Sequence, residues 1–443
     1  MNVMESAGVQ IGHFSDLHYG PKNLAEADRC FGAAVDAAIG RGIDVAVISG
    51  DATDHALPLH SPAVQALAAQ VRRLAWHCPV LMLQGTFSHE PPGTLAVFGM
   101  LGGRYPVYVS ERIAQVALND AGTWHECEGW RFDEPPRHSR LLVTCIPSVN
   151  KASVAAVLGA TQAGEGVGEQ LQAVLEGFAG INRAACERGI ATIGVSHGTV
   201  TGCMTEHGVP MAGFDHEFTS GALLAAQAEG FLLGHIHKHQ AWAEGGRLVA
   251  YAGSIGRFHH GEVGEKGWLL WTVGAGATRI EQVATPARRT LDLVFEGKPD
   301  LARIEAAAAA GELDGASVRV RWAVAAEDRH EVDRAALARV LATAADVQME
   351  ARVIPVVRSR AEGISRARSL EEKLRKWSEV AGVKPDPLIE RMSVLAHEDA
   401  ARIAQRILEQ TQPEPASGPA DTQAAAAALD DSTPLTEVAD SLF

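Results

Sequence analysis

Residues 8–18, GVQIGHFSDLH, decide how the chain is read. An apolar run stops at Phe14, and Asp16 and His18 follow within four residues. Short apolar runs bounded by polar turns read as buried strands. This strand therefore hands a carboxylate and an imidazole to the loop at its carboxyl end. The same arrangement recurs along the first half of the chain. IDVAVISG (43–50) leads to Asp51, and PVLMLQG (79–85) leads to Ser88, His89 and Glu90. ATIGVSH (191–197) ends in His197, and GFLLGH (230–235) delivers His235 and then His237. RLLVTCIP (140–147) is a further buried strand without such an ending.

Between the strands, NLAEADRCFGAAVDAAIGRG (23–42) and SPAVQALAAQVRRLAW (61–76) space their apolar residues as helices do. Strands alternating with helices predict an α/β layered sheet. Ligands of open α/β sheets gather outside the carboxyl ends of the strands, so the polar groups above are expected to converge there. LVAYAGSIG and GWLLWTV close this first domain, assigned to residues 1–285. A small α/β domain follows over 286–360, built from TLDLVF, SVRVRWAV and MEARVIPVV as strands with two helical segments between them. Residues 361–412 read as helices, SLEEKLRKWSEVAG and then DPLIERMSVLAHEDAARIAQRILEQ, separated by Gly382 and two prolines. Met392, Ala396, Ala400, Ile403 and Ile407 form one stripe along the second, available for packing or for a partner's groove. The stretch 413–443 has few large apolar residues and is expected to be a disordered acidic tail.

Composition sets the outer limits. The chain has 443 residues, 47% hydrophobic and 21% charged, which suits a soluble globular protein of several domains. No apolar run reaches the roughly 20 residues that span a bilayer, and the N-terminus lacks a signal-peptide pattern. Six scattered cysteines with no Cys-x-x-Cys pair point to reduced thiols and a cytoplasmic location. A net charge of −15 does not mark a nucleic-acid binder, but charge is uneven. From Arg352 to Lys376 there are eight basic residues against three acidic ones.

Two aspartates, Asp16 and Asp51, and four histidines, His18, His197, His235 and His237, suit divalent manganese, iron or zinc better than calcium or magnesium. A pair of ions about 3.5–4 Å apart needs one bridging ligand, and Asp51 is the natural candidate. Asp-x-His alone is common. Gly-His-x-His after a strand is more specific, and five strand ends with ligands in this order are more specific still.

That order, together with HFSDLHYG, GDATD, GHIHKHQ, YAGSIGR and GEVGEKG, resembles the calcineurin-like metallophosphoesterases, and more narrowly the SbcD-type nuclease subunits of double-strand-break repair. The resemblance runs by motif over residues 8–275. It implies a layered β-sandwich flanked by helices, with a DNA-capping domain and a helical ATPase-binding region. It also implies a dimanganese exonuclease and endonuclease acting on double-stranded DNA ends, a homodimer bound to an SbcC-like coiled-coil ATPase through 361–412. Asp16, His18 and His237 would hold the first metal, Asp51 would bridge, His197 and His235 would hold the second, and His89 would serve the leaving oxygen.

The loop GTFSHE (85–90) departs from the family's Gly-Asn-His-Asp. Alignment on the histidine puts Ser88 in the asparagine's place as a metal ligand and Glu90 in the aspartate's, orienting His89. Thr86, directly after the glycine, is the other substitute. Asp54, His55, His60, His259 and His260 are expected at the rim, and Lys238 and Arg257 are candidates for phosphate contact. The tail ends in ADSLF, and Leu442 and Phe443 resemble the peptides that dock on sliding clamps. Two alternatives to the nuclease stay open: a phosphodiesterase for nucleotides or other small esters, and a DNA-end-binding scaffold with weakened catalysis.

Overall fold

The structure is a computed structural model that describes residues 8–149, 157, 167–211, 217–274, 277–355 and 363–411. The chain divides into two compact units, Met1–Pro355 and Val356–Phe443. Two sheets lie face to face in the first. The six-stranded sheet runs in the order Arg279–Ala284, Gly267–Val273, Val9–Phe14, Val45–Ile48, Val80–Leu83 and Val107–Ser110. Its last four strands are mutually parallel. The seven-stranded sheet runs Gln240–Glu244, Arg247–Tyr251, Gly230–Gly234, Ala191–His197, Ser139–Ile146, Ala114–Asn119 and Trp124–Glu126.

Ile11, Val45, Val47 and Leu81 of the first sheet meet Val143, Ile193, Val195 and Leu232 of the second in one buried cluster. The outer face of the first sheet is covered by helices Leu24–Gly40 and Pro62–His77. That of the second is covered by Val167–Glu187 and Ser220–Ala225. Central strands are thus apolar on both faces, which is why their sequences are continuous apolar runs rather than alternating ones. The helix starts follow local chemistry: Ser61 Oγ accepts from Val64 N at 3.2 Å, with Pro62 at the first helical position. The architecture is the layered α/β sandwich flanked by helices that the sequence predicts.

Within the same unit, Thr290–Glu296, Leu301–Ala309, Ser317–Ala325, Arg334–Val340 and Asp346–Ile354 form a small parallel βαβαβ layer. Leu293, Phe295, Val318, Val320 and Trp322 pack under its helices around Ile304 and Leu337. The opposite face is open. There Asp292 takes two bonds from each of Arg319 and Arg321.

Among its described residues the second unit has three α-helices, Leu370–Ala381, Asp386–His397 and Ala400–Thr411. The sequence predicts one helix across the last two. Instead the chain breaks at Glu398, and Asp399 Oδ1 accepts from Ala401 N at 2.9 Å, which starts a new helix. The stripe from Met392 to Ile407 therefore does not run along one rod. The basic stretch is partly neutralised in place: Arg375 meets Glu371 at 2.9 Å, and Lys376 lies 3.8 Å from Glu372, both pairs one turn apart. Arg358, Arg360 and the tail with Leu442 and Phe443 lie outside the described residues.

Leu232 is fully buried between the sheets. Leu232→Ala is expected to cost about 3 kcal/mol, the usual range for a Leu-to-Ala cavity being roughly 2–5 kcal/mol. A lowered thermal-unfolding midpoint checks it, and an unchanged midpoint would contradict the packing described.

Candidate metal centre

Backbone geometry assembles the site before any side chain does. The loop after Val9–Phe14 is bonded to the loop after Val45–Ile48: Asp16 N donates to Gly50 O, His18 N to Asp51 O and Tyr19 N to Ala52 O, at 3.0–3.1 Å. The loop after Val80–Leu83 joins through Thr86 N, which donates to Asp51 Oδ1 at 2.6 Å. His235 N donates to both Asp16 carboxylate oxygens at 3.2 Å. Such close approach needs glycine. A Cβ on Gly85 would lie 2.2 Å from Asp51 N, and one on Gly234 would lie 2.2 Å from Ser49 O. Asp16 (φ 50°), His18 (47°), Asp51 (50°) and His235 (99°) all occupy the left-handed region. Each such residue costs on the order of 1–3 kcal/mol unless its surroundings impose it, and such strain concentrates at functional sites.

The side chains fall into two groups. Asp16, His18 and His237 offer donor atoms within 4.8 Å of one another, as do Asp51, His197 and His235. His18 Nε2 and His237 Nε2 are 2.9 Å apart, and His197 Nε2 is 3.3 Å from Asp51 Oδ2. Metal–ligand bonds of about 2.0–2.2 Å place donors of one ion about 3–3.5 Å apart, so these spacings suit divalent ions. Asp51 also groups with His18 and His89, which puts it against both sets. The residues present fit a two-ion centre, with Asp51 shared.

Protonation follows burial. His18 is held well below its ordinary pKa by burial and then by His237. His235 is pushed down to about 4 by burial and then by His197. Burial also disfavours the His197 imidazolium, but Asp51, Asp16 and the Ser49 carbonyl outweigh it and raise the pKa. A proton and a metal ion compete for that same nitrogen. His197 Nδ1 faces Ser49 O at 2.8 Å, which fixes the ring and leaves Nε2 toward Asp51.

The 85–90 loop resolves differently from the sequence expectation. Ser88 is exposed. Thr86, the other candidate, faces the ligand residues: its hydroxyl lies 3.1 Å from Asp51 Oδ2 and 3.2 Å from His197 Nε2. The two extra residues let the chain turn, with His89 N and Glu90 N both donating to Thr86 O. Glu90 does not orient His89. Fully buried, it accepts from Gly85 N and Ala52 N at 2.6 Å and from Thr53 N at 3.2 Å. Its pKa is raised to about 7, by burial and then by Asp51. It is a brace between two loops, out of reach of a substrate. His89 Nδ1 lies 3.2 Å from Asp54 Oδ1 instead, and the ring remains partly open to solvent.

The two proposed phosphate contacts differ. Arg257 is committed elsewhere, donating to Arg288 O at 2.8 Å and Gly264 O at 2.7 Å. Lys238 is half-buried beside His237, and its ammonium has no ion pair among the described residues. His55 meets Asp54 at 2.7 Å on the rim, while His60 is exposed. Sequence reasoning missed a buried pair behind His237. Lys266 Nζ is 2.5 Å from Glu262 and donates to His237 O at 2.9 Å. Glu262 accepts from His259 N at 2.7 Å and lies 4.0 Å from His237 Nδ1. Both residues sit in GEVGEKG, whose alternating acid and lysine were the available signal.

No family model matches the chain, and no curated protein matches it. Among solved structures, the chain is similar to GAP50, the anchor in the inner membrane complex of Plasmodium, at 10% identity over 63% of this chain and 85% of that one, TM-score 0.41. A dimetal phosphatase from Danio rerio matches at 12% identity over 62% of this chain and 99% of that one, TM-score 0.34. The 5'-nucleotidase of Candida albicans matches at 11% over 63% and 52%, TM-score 0.32. At this level of similarity the neighbours do not specify a reaction for this chain.

The two loop residues separate cleanly by substitution. Thr86→Ala is expected to weaken binding of the second of two divalent ions by roughly tenfold, the lower end for groups that support a metal site, and Ser88→Ala to leave both unchanged. Calorimetric titration checks this; equal effects from both variants would contradict the placement.

Proposed function

We propose that the protein is a metal-dependent phosphodiesterase, and specifically a DNA nuclease of the SbcD type. The observation that carries the reading is Asp51, which lies against both ligand groups with His89 partly open to solvent beside it. Asp16, His18 and His237 would hold one ion, His197, His235 and Thr86 the other, and Asp51 both. When bound, such ions supply Lewis acidity toward a phosphate oxygen and acidify a water. Manganese suits this mixture of imidazole and carboxylate.

The chain's own groups do the rest. His89 is placed to give a proton to the departing oxygen of a cleaved diester, with Asp54 against its other nitrogen. Glu90 holds the loops of Asp51 and Thr86 at fixed separation. The acidic balance of the chain does not oppose a polyanionic substrate locally, because bound ions would dominate the field at the site.

Double-stranded DNA ends are the proposed substrate, and a homodimer the working form. An SbcC-like ATPase is proposed to dock on 361–412. Leu370, Trp377, Val380 and Leu395 there are exposed large apolar side chains that a partner helix would bury. No described helix is long and apolar enough to cross a membrane.

The test is degradation of end-labelled double-stranded DNA with manganese. Wild type is expected to cleave, and His89→Ala to lose activity by roughly 10²–10⁴-fold, the usual contribution of a positioned proton donor, while keeping both ions. Intact DNA, with and without the ATPase, but turnover of bis(p-nitrophenyl) phosphate would make the protein a small-ester phosphodiesterase instead.

A further inference from the structure

A cleft of about 440 Å³ opens one ring beyond the metal centre, where the sandwich meets the open face of the small parallel sheet. Two aromatic rings connect it to the ligands. Phe258 lies edge-on to His18 at 5.5 Å, and His259 stacks on His237 at 6.0 Å; both line the cleft. The remaining wall is mostly basic. Lys22 comes from the loop after Asp16 and His18, Arg288 from the junction, Arg319 from the small sheet, and His260 from the loop after Ile255, with Asp346 the one carboxylate on the lining.

In a chain of net charge −15, this concentration of basic side chains is not what composition alone would place there. Nor are their hydrogen-bond donors all spent internally. Asp292 is shared between Arg319 and Arg321, with Glu350 a further negative charge near Arg319. Arg288 uses Nε on Arg257 O at 2.9 Å and Nη2 on Phe258 O at 3.5 Å, and Arg319 uses Nε and Nη2 on Asp292, so Nη1 of each is without a partner among the described residues. Lys22 is exposed and has no ion pair among them. His260 Nδ1 is buried and lacks a hydrogen-bond partner. Burial and then the charges of Arg319 and Arg288 hold the His260 pKa down. Planar guanidinium donors left over in this way match phosphate oxygens.

We propose that this cleft is a subsite for a second, non-scissile phosphate group of the substrate. The proposal rests on the phosphodiesterase reading and deepens it. A substrate with one phosphate would use the metal centre alone. One with phosphates in series would span both, and the small domain would contribute to selection through Arg319.

The test uses the manganese-loaded full chain in a His89→Ala background, which slows turnover, with Lys22→Ala and His260→Ala added singly. Calorimetry measures two probes: a tetrathymidylate without terminal phosphates, and thymidine diphosphate. Either substitution is expected to weaken at least one probe by roughly three- to tenfold, the loss of one charged hydrogen bond at a partly exposed site. Loss with the strand alone assigns the subsite to a polymer's internal phosphate, and loss with the diphosphate to a terminal one. Unchanged affinity for both probes overturns the proposal, and it does so whether or not the wild type cleaves DNA. In the His89 wild-type background, turnover of bis(p-nitrophenyl) phosphate is expected to stay unchanged in both variants. An equal fall there would assign the two residues to the architecture of the metal centre and would also overturn it.

Discussion

The site depends on how the Asp51 carboxylate is held. Its backbone sits at φ 50°, its carbonyl accepts from His18 N, and its oxygens take the Thr86 amide and hydroxyl while facing His197. One residue therefore ties three strand ends together. Burial alone would favour the neutral acid, but His197, His18 and His89 hold its pKa far below the ordinary carboxylate range. A carboxylate so placed, beside nitrogens forced into contact, forms a preassembled cation site rather than a stable polar core. The strain in the four left-handed ligand residues points the same way.

The sandwich exists, in this view, to aim strand ends. Parallel strands Val9–Phe14, Val45–Ile48 and Val80–Leu83 emerge side by side, and Ala191–His197 and Gly230–Gly234 emerge opposite them in the second sheet. The inter-sheet cluster fixes the spacing between the two sets. Close contacts at Gly85 and Gly234 then allow loops from different sheets to touch. Packing thus sets the distance between ligand groups, and loop hydrogen bonds set their orientation. Glu90 links these levels, since its buried carboxylate binds backbone amides of both the Asp51 and Gly85 loops.

Much of this was legible in the sequence because the signals were strong and local. Continuous apolar runs ending in Asp, His or Gly-His-x-His marked both the strands and what they carry. The βαβαβ layer was visible because Ser317–Ala325 alternates so regularly between Val and Arg. What escaped reading depends on contacts between distant segments. Short edge strands such as Val107–Ser110 and Trp124–Glu126 carry little pattern of their own. Thr86 and Ser88 are both hydroxyl residues in one loop, and only the turn that leaves Ser88 in solvent separates them. Glu90 beside His89 reads as a catalytic pair, yet three amides from elsewhere claim its carboxylate. Arg257 reads as a phosphate ligand, yet the carbonyls of Gly264 and Arg288 already take two of its nitrogens.

In the proposed centre two ions share Asp51, and electron paramagnetic resonance of the chain loaded with two equivalents of manganese reads that sharing. An exchange-coupled pair, lost on Asp51→Asn, is the expected result. Two independent manganese signals in the wild type, or a coupled pair that survives Asp51→Asn, would contradict a centre bridged by this carboxylate.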